Sequence, residues 1–333
     1  MFKSEKRVSY GTKRIRGSKL SWAVGKKTVM CVGTTSMVFV ATVENFPEAT
    51  HNEAAGGYWI RGGNASNNCT VLSNLGVKVE FFGMLSNLSM YQLLVDDLTA
   101  RGIIVENCPT CSQSAPFSSV ILSKSPRARS IVICNSNFPH VGIEDFRKLD
   151  LSKYGWIHMR ALYFENTLAM LKELAAYNAS KEEKIIVSLE FDHNLEEMWP
   201  LTEYCDYAFF SKQLAQPNGW TSLEDACSQL DEKLRMRWGL NLKRPYVIVL
   251  WGDQGAGIMD LEGNFTHSKP YKPRRINSFL GAGDTFVGAV IYALYIRERS
   301  LPVAVDFGNR MASFKMTRSG FDHIANILLP PTL

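Results

Sequence analysis

Short runs of uninterrupted apolar residues recur along this chain, each followed by a segment with a helical repeat, and that alternation limits the fold most. Residues 28–33 (Thr-Val-Met-Cys-Val-Gly), 156–158, 185–189, 207–210 and 246–251 do not alternate polar with apolar, as a strand with one wet face would, and 77–83 reads as a further strand. Strands of this kind are covered on both sides and belong to a parallel sheet between helices. Residues 64–75 read as a helix with Ala65, Cys69, Leu72 and Leu75 on one face and Gly76 as its stop. Further helices are expected at 91–101, closed by Gly102, at 165–178 and 196–204, and at 222–238, behind the capping box Thr221-Ser222-Leu223-Glu224. Two stretches break the pattern. Residues 38–61 show no helical period, and 117–122 with 131–135 read as strands paired around Ser125-Pro126. The expectation is an α/β fold over residues 28–333: a central, mostly parallel sheet with helices on both faces, plus a small β-sheet lid from about 38–61 and 117–135.

Composition excludes several classes. No apolar run reaches the ~18 residues of a membrane helix, and residues 1–27 lack the apolar core of a secretory signal. Those 27 residues hold nine basic side chains and one acid, Glu5, so the net charge of +5 arises there and the remainder is slightly acidic. No basic stripe for nucleic acid is left outside that segment. Its Arg, Lys and Ser content is compatible with a mitochondrial transit peptide, but it has no clear helical face, which favours a solvated extension. Seven cysteines, odd in number and mostly within apolar segments, suit reduced thiols in the cytoplasm.

Leu280-Gly281-Ala282-Gly283-Asp284-Thr285-Phe286 carries the chemistry. The apolar run 287–296 follows without a proline, so a buried helix opens at the aspartate. Helix N-termini leave N–H groups unpaired and carry partial positive charge, and the glycines let a phosphoryl group approach. Asp284, kept ionised by that helix end, is placed to take a proton from an attacking hydroxyl. An N-capping Asp after a glycine turn is the simpler reading of the motif taken alone. The second stretch is Arg61-Gly62-Gly63-Asn64-Ala65-Ser66-Asn67. Asn64 and Asn67 lie three apart at a helix start, and neutral amides that both donate and accept suit the hydroxyls of a polyol.

Together these stretches resemble the two signatures of the ribokinase-like carbohydrate kinases, the PfkB family. Leu94-Val95-Asp96-Asp97-Leu98, Lys153-Tyr154-Gly155-Trp156-Ile157-His158 and Ser319-Gly320-Phe321-Asp322 are similar to its ketose-phosphorylating branch, and the likeness runs from about residue 29 to 324. The resemblance implies a ribokinase-like fold and an ATP-dependent kinase for a primary hydroxyl of a ketose such as fructose. Asp284 would be the base, and Gly281, Ala282 and Gly283 the anion hole. Gly63, Asn64 and Asn67 would bind the sugar, and Arg129 would reach the phosphate side of sugar and nucleotide. Trp251, Gly252, Gly255, Ala256, Gly283, Phe286 and Asn309 would line the ATP site. Mg2+ would bridge the ATP phosphates, and the lid would pair with a second copy to give a homodimer.

The departures from the family lie on the acceptor side. Val38 stands where the family carries a sugar-clamping aspartate, and no acid between Gly33 and Val43 replaces it. The position of a second lid acid of the family falls near Thr50, which is also neutral, although Glu48 and Glu53 are close. The acid and arginine expected after His158 are replaced by Arg160 and Leu162, and the Asp-Thr before the glycine motif reads Asn277-Ser278, which removes a ligand for a monovalent cation in related kinases. A kinase for another polyol or a nucleoside, and a catalytically impaired regulator, therefore stand as alternatives. Cys108-Pro109-Thr110-Cys111 has half the spacing of a zinc site with no second half, and the six histidines show no ligand spacing. His158, at a strand end, reads as a core residue.

Overall fold

Thr28–Val32 is buried at all five positions, as its unbroken apolar run requires, and it lies inside an eight-stranded sheet. The structure is a computed structural model describing residues 25–47, 53–125, 128–238 and 244–327. The sheet order is β14 (Phe265–Ser268), β13 (Ala256–Met259), β12 (Tyr246–Leu250), β11 (Tyr207–Ser211), β10 (Ile186–Phe191), β9 (Tyr154–Arg160), β1 (Thr28–Val32) and β4 (Val79–Phe82). From β12 to β4 every pairing is parallel, and the β12–β13–β14 edge is antiparallel. The helices Asn64–Asn74, Ala282–Ile291 and Leu301–Met316 bury their apolar sides against one face. Phe164–Ala179 and Leu223–Trp238 cover the other. Both faces are thereby dry, which explains the absence of alternation in the strands.

The two stretches without helical period build a separate four-stranded sheet. Its order is β3 (Gly56–Gly62), β2 (Ser36–Asn45), β7 (Phe117–Ser125) and β8 (Ala128–Cys134). β2 runs parallel to β7, and β2–β3 and β7–β8 are antiparallel. A two-stranded pair, β5 (Leu85–Ser86) and β6 (Thr110–Cys111), completes the strands among the described residues. The basic segment up to residue 24, Thr50 with its neighbour Glu48, and Pro126 of the expected turn fall outside the described residues.

Local corrections have physical causes. The expected helix 196–204 is one turn, Leu195–Met198, continued as a 3-10 helix, Trp199–Tyr204, because Pro200 cannot donate to an α-helical ladder. The capping box is displaced by one residue. Ser222 Oγ accepts from the Asp225 N–H at 3.1 Å, and the Asp225 carboxylate accepts from the Thr221 N–H at 2.7 Å. The helix expected to open at Asp284 opens at Ala282 behind Gly281, whose φ of +76° puts it in the left-handed region. It ends in a π-turn over Tyr292–Ile296.

Candidate active site

Parallel strands direct their carboxyl ends toward one rim, and ligands bind there. The helix Ala282–Ile291 starts at this rim and places Asp284 in its first turn. Gly283 is open, with nothing within 4 Å of where a Cβ would stand, so a tetrahedral group can come against this turn. Asn67, one turn into the helix Asn64–Asn74, donates its amide to Asp284 Oδ2 at 2.7 Å. Asn68 donates to the Asp284 carbonyl at 3.0 Å. Burial pushes the Asp284 carboxyl up to about 6, against the Asn67 bond and the charges of Arg160 and Lys315, which favour ionisation. The sequence expectation is that the helix end keeps it ionised; at about 6 it is mostly ionised at neutral pH, although desolvation outweighs the helix end. A base with that value sits close to the optimum for neutral pH.

The sugar-side candidates converge on the same point. Gly63 has φ +99°, and a Cβ there would stand 2.3 Å from the Thr34 carbonyl oxygen. This contact sets the loop after β1 directly beneath the start of the helix carrying the asparagines. Asn64 reaches Glu190 on β10, and Asn67 reaches Asp284, so both amides hold acids of the cleft. Val38 on β2 packs with Val40 and Val120, against Leu280 just before the glycine motif. Arg129 lies on β8 opposite Leu122, with its side chain outside the described residues.

Of the residues expected at the nucleotide, Gly252 is exposed in a 3-10 turn after β12. Gly255 has φ +88°, with the Ser268 carbonyl 2.2 Å from the position of a Cβ, so the turn is locked onto the end of β14. Ala256 and Trp251 are buried. Phe286 is also buried, with its ring against Gly308 inside the core, and supports the helix instead of lining open space. Asn309 spends its amide on Ser268 Oγ at 2.9 Å and on the Ser268 carbonyl at 3.1 Å, fixing the loop that follows β14.

A model of the pfkB family of carbohydrate kinases matches residues 26–326. The chain belongs to the pfkB family. Mouse (Mus musculus) ketohexokinase is 33% identical over 303 residues, which is 90% of this chain and 99% of the mouse protein. Ribokinase from Giardia lamblia superposes with a TM-score of 0.74 at 16% identity, covering 90% of this chain and 96% of its own. Ribokinase from Arabidopsis thaliana, complexed with ribose and ATP, gives 0.69 at 18%, covering 90% and 95%. At those identities the likeness to the solved structures concerns the fold, which is ribokinase-like. By family the chain is an ATP-dependent sugar kinase.

Against this pfkB frame, the structure brings in four charged residues that sequence reasoning left without a role. Arg160, at the end of β9, donates to Asp192 at 2.6 Å. Glu190 is buried, with Oε2 unpartnered and 3.9 Å from His158 Nε2, and burial beside Asp284 and Asp192 pushes its carboxyl up to about 8. It is therefore protonated at neutral pH. Lys315, on the last helix, is 1% exposed and donates its ammonium to the carbonyl of Leu280. Burial pushes that ammonium down to about 8, opposed by attraction to Asp284. A lone lysine in Phe314-Lys315-Met316 gives no sequence signal. Arg160 stood out only as a departure from the family. His158 is the core residue expected: 1% exposed, bonded to Ser188 Oγ at 2.9 Å and pushed down to about 3 by burial. Cys108 donates its thiol to the Phe81 carbonyl, and no group of three metal-ligating side chains occurs among the described residues.

Proposed function

We propose that this chain transfers the γ-phosphoryl of ATP to a primary hydroxyl of a ketose such as fructose. The observation that carries this is Asp284, a carboxylate poised near 6 in the first turn of a helix where the adjacent Gly283 leaves room for a phosphoryl group. The acceptor oxygen forms the new O–P bond as its proton passes to Asp284. The bond from the γ-phosphorus to the β-phosphate bridge breaks and ADP leaves. The helix N-terminus, with the Lys315 ammonium behind it, supports the charge of the moving group. Magnesium would come with the nucleotide as Mg·ATP, where it would supply neutralisation of the phosphate charge.

The kinship to mouse ketohexokinase supports a ketose acceptor, and the intact Gly281–Asp284 motif weighs against a non-catalytic regulator. Release of ADP by purified protein over fructose, ribose, nucleosides and related polyols is the test. A ketose that stimulates release well above the sugar-free rate is the expected result. ADP release with a nucleoside alone would move the assignment to that class. ATP binding without turnover on any acceptor would favour the regulator.

We further propose that the four-stranded sheet is a lid that pairs with the lid of a second copy. β3 and β8 are its edges, and the edge strand β8 exposes three consecutive apolar residues, Ile131, Val132 and Ile133, the last 65% exposed. Trp59 on the opposite edge is 54% exposed. Open apolar edges pair readily with one another. Light scattering is expected to report a dimer at micromolar concentration, and Ile133→Lys to shift it toward monomer. A wild-type monomer with full activity would remove the proposal.

A further inference from the structure

Arg160 and Glu190 are register partners near the carboxyl ends of β9 and β10, and in neighbouring parallel strands such partners point to the same face. That face is the one covered by the helices Asn64–Asn74 and Ala282–Ile291. Cys31 on β1 pairs with His158 of β9, Phe209 on β11 pairs with Glu190, and both lie in the core beneath those helices. The Glu190 carboxyl therefore rises toward the first turns of the two helices, where Asn64 bonds it and the charge of Asp284 acts on it. Three buried oxygens of this region have no partner: Glu190 Oε2, Asn67 Oδ1 and Thr35 Oγ1, the last in the loop whose backbone lies against Gly63. Buried polar atoms left unpaired are rare and costly, and a ligand that pairs them recovers the cost.

The charges facing Glu190 explain how a third acid is tolerated there. Asp192, just after β10, takes Nη2 of Arg160 at 2.6 Å, and the Lys315 ammonium attracts Asp284. His158, with Nε2 3.9 Å from Glu190 Oε2, is kept neutral by burial and brings no charge. Burial beside Asp284 and Asp192 then holds Glu190 as the neutral acid. A neutral carboxyl carries one O–H donor and one carbonyl acceptor on adjacent atoms. Adjacent hydroxyls of a polyol complement that pair, one accepting and one donating. The lid supplies neither, because Val38, Val40 and Val120 meet Leu280 as an apolar face. Hydroxyls of an acceptor are therefore received from the sheet side of the cleft.

Resting on the kinase reading above, we infer that Glu190 clamps the acceptor: its carboxyl, held by Asn64, donates to one hydroxyl and accepts from the next, while the primary hydroxyl meets Asp284.

Titration calorimetry with D-fructose, D-ribose and D-sorbitol tests this without requiring turnover. Glu190→Met keeps the length of the side chain and removes both polar atoms. It should weaken the tightest of the three at least ~10-fold, the scale of two lost hydrogen bonds, with the ATP-induced rise in melting temperature retained as a check on folding. Glu190→Gln keeps one donor and one acceptor and should recover that affinity to within about 3-fold. The pH profile gives a readout that a merely structural glutamate would not move. Wild-type affinity should fall as pH rises through about 8, where ionisation removes the O–H and sets a further negative charge beside Asp284 and Asp192. The Gln variant should lack this fall. A Gln variant that keeps it would assign the fall to Lys315 and overturn the clamp. So would a Met variant that folds and keeps wild-type affinity, or a wild type that binds none of the three. If the Met variant fails to fold, the pH profile of the Gln variant still decides. Binding with the expected pattern but without ADP release would sink the kinase reading and leave the clamp standing. ADP release with affinity unchanged in the Met variant would do the reverse.

Discussion

Asp284→Asn is expected to lower turnover at least ~100-fold, the scale of a lost general base, while ATP affinity is kept. The amide cannot take the hydroxyl proton, yet it fills the same space and preserves the start of the helix. The pH profile supplies a second readout. A carboxylate can act as a base only when ionised, and the Asp284 carboxyl is raised from 3.8 to about 6 in the folded protein. Wild-type kcat/KM should therefore climb as pH rises through about 6 and level off above it, and the variant should lose that limb. Stability runs the opposite way. A carboxyl whose value is raised on folding favours the folded state when protonated, so its contribution is complete below 3.8 and is lost as pH rises through about 6. Removing the ionised group should leave the melting temperature at pH 7 unchanged or higher. A variant that keeps more than a tenth of wild-type turnover would show that another group is the base.

The elements most legible in the sequence were those with a dry environment on every side. β1, β9 to β12 and the helix Asn64–Asn74 fall within a few residues of their expected bounds because burial on both faces erases the polar–apolar alternation. The antiparallel edge β13–β14 was not anticipated. Ala256–Met259 contains a glycine and Phe265–Ser268 has three polar residues of four, so neither has the signature of a strand. The helix Leu301–Met316 was also missed, although Pro302 in its first turn is a recognised start signal. The same distinction holds in the site. Gly281, Gly283, Asp284, Asn64 and Asn67 lie in two contiguous stretches whose residue types announce a ligand. Arg160, Glu190, Asp192 and Lys315 come from β9, β10, the loop after it and the last helix, and they acquire meaning only where those elements meet at one rim. Phe286 and Asn309, expected at the ATP site, are also held by the scaffold, through packing against Gly308 and a hydrogen bond to Ser268, which no sequence pattern announces.

Gly63→Ala is expected to be nearly as damaging as loss of the base, by a different route. Gly63 has φ +99° and ψ +132°, outside the regions open to L-residues, and an imposed side chain costs on the order of 1–3 kcal/mol there. The added methyl would also stand 2.3 Å from the Thr34 oxygen and 2.9 Å from both the Thr34 carbonyl carbon and the Thr35 Cα. All three are backbone atoms, so no rotamer change relieves the contact and the loop after β1 must part from the helix Asn64–Asn74. That helix carries Asn64 to Glu190 and Asn67 to Asp284, so a shift of its first turn displaces the proposed base together with the amides proposed to bind the sugar. Misplacement by about 1 Å can cost roughly 100-fold in rate, and this is the fall expected in kcat, beside a melting temperature lowered by several degrees. Gly102→Ala separates the two effects. Gly102 shares the left-handed conformation at φ +71°, but nothing lies within 4 Å of its added Cβ, and it closes a helix away from the cleft. It should lose stability on the scale of about 1 kcal/mol and keep its turnover. Equal loss of kcat in the two variants, measured well below both melting temperatures, would mean that the Gly63 contact does not position the base.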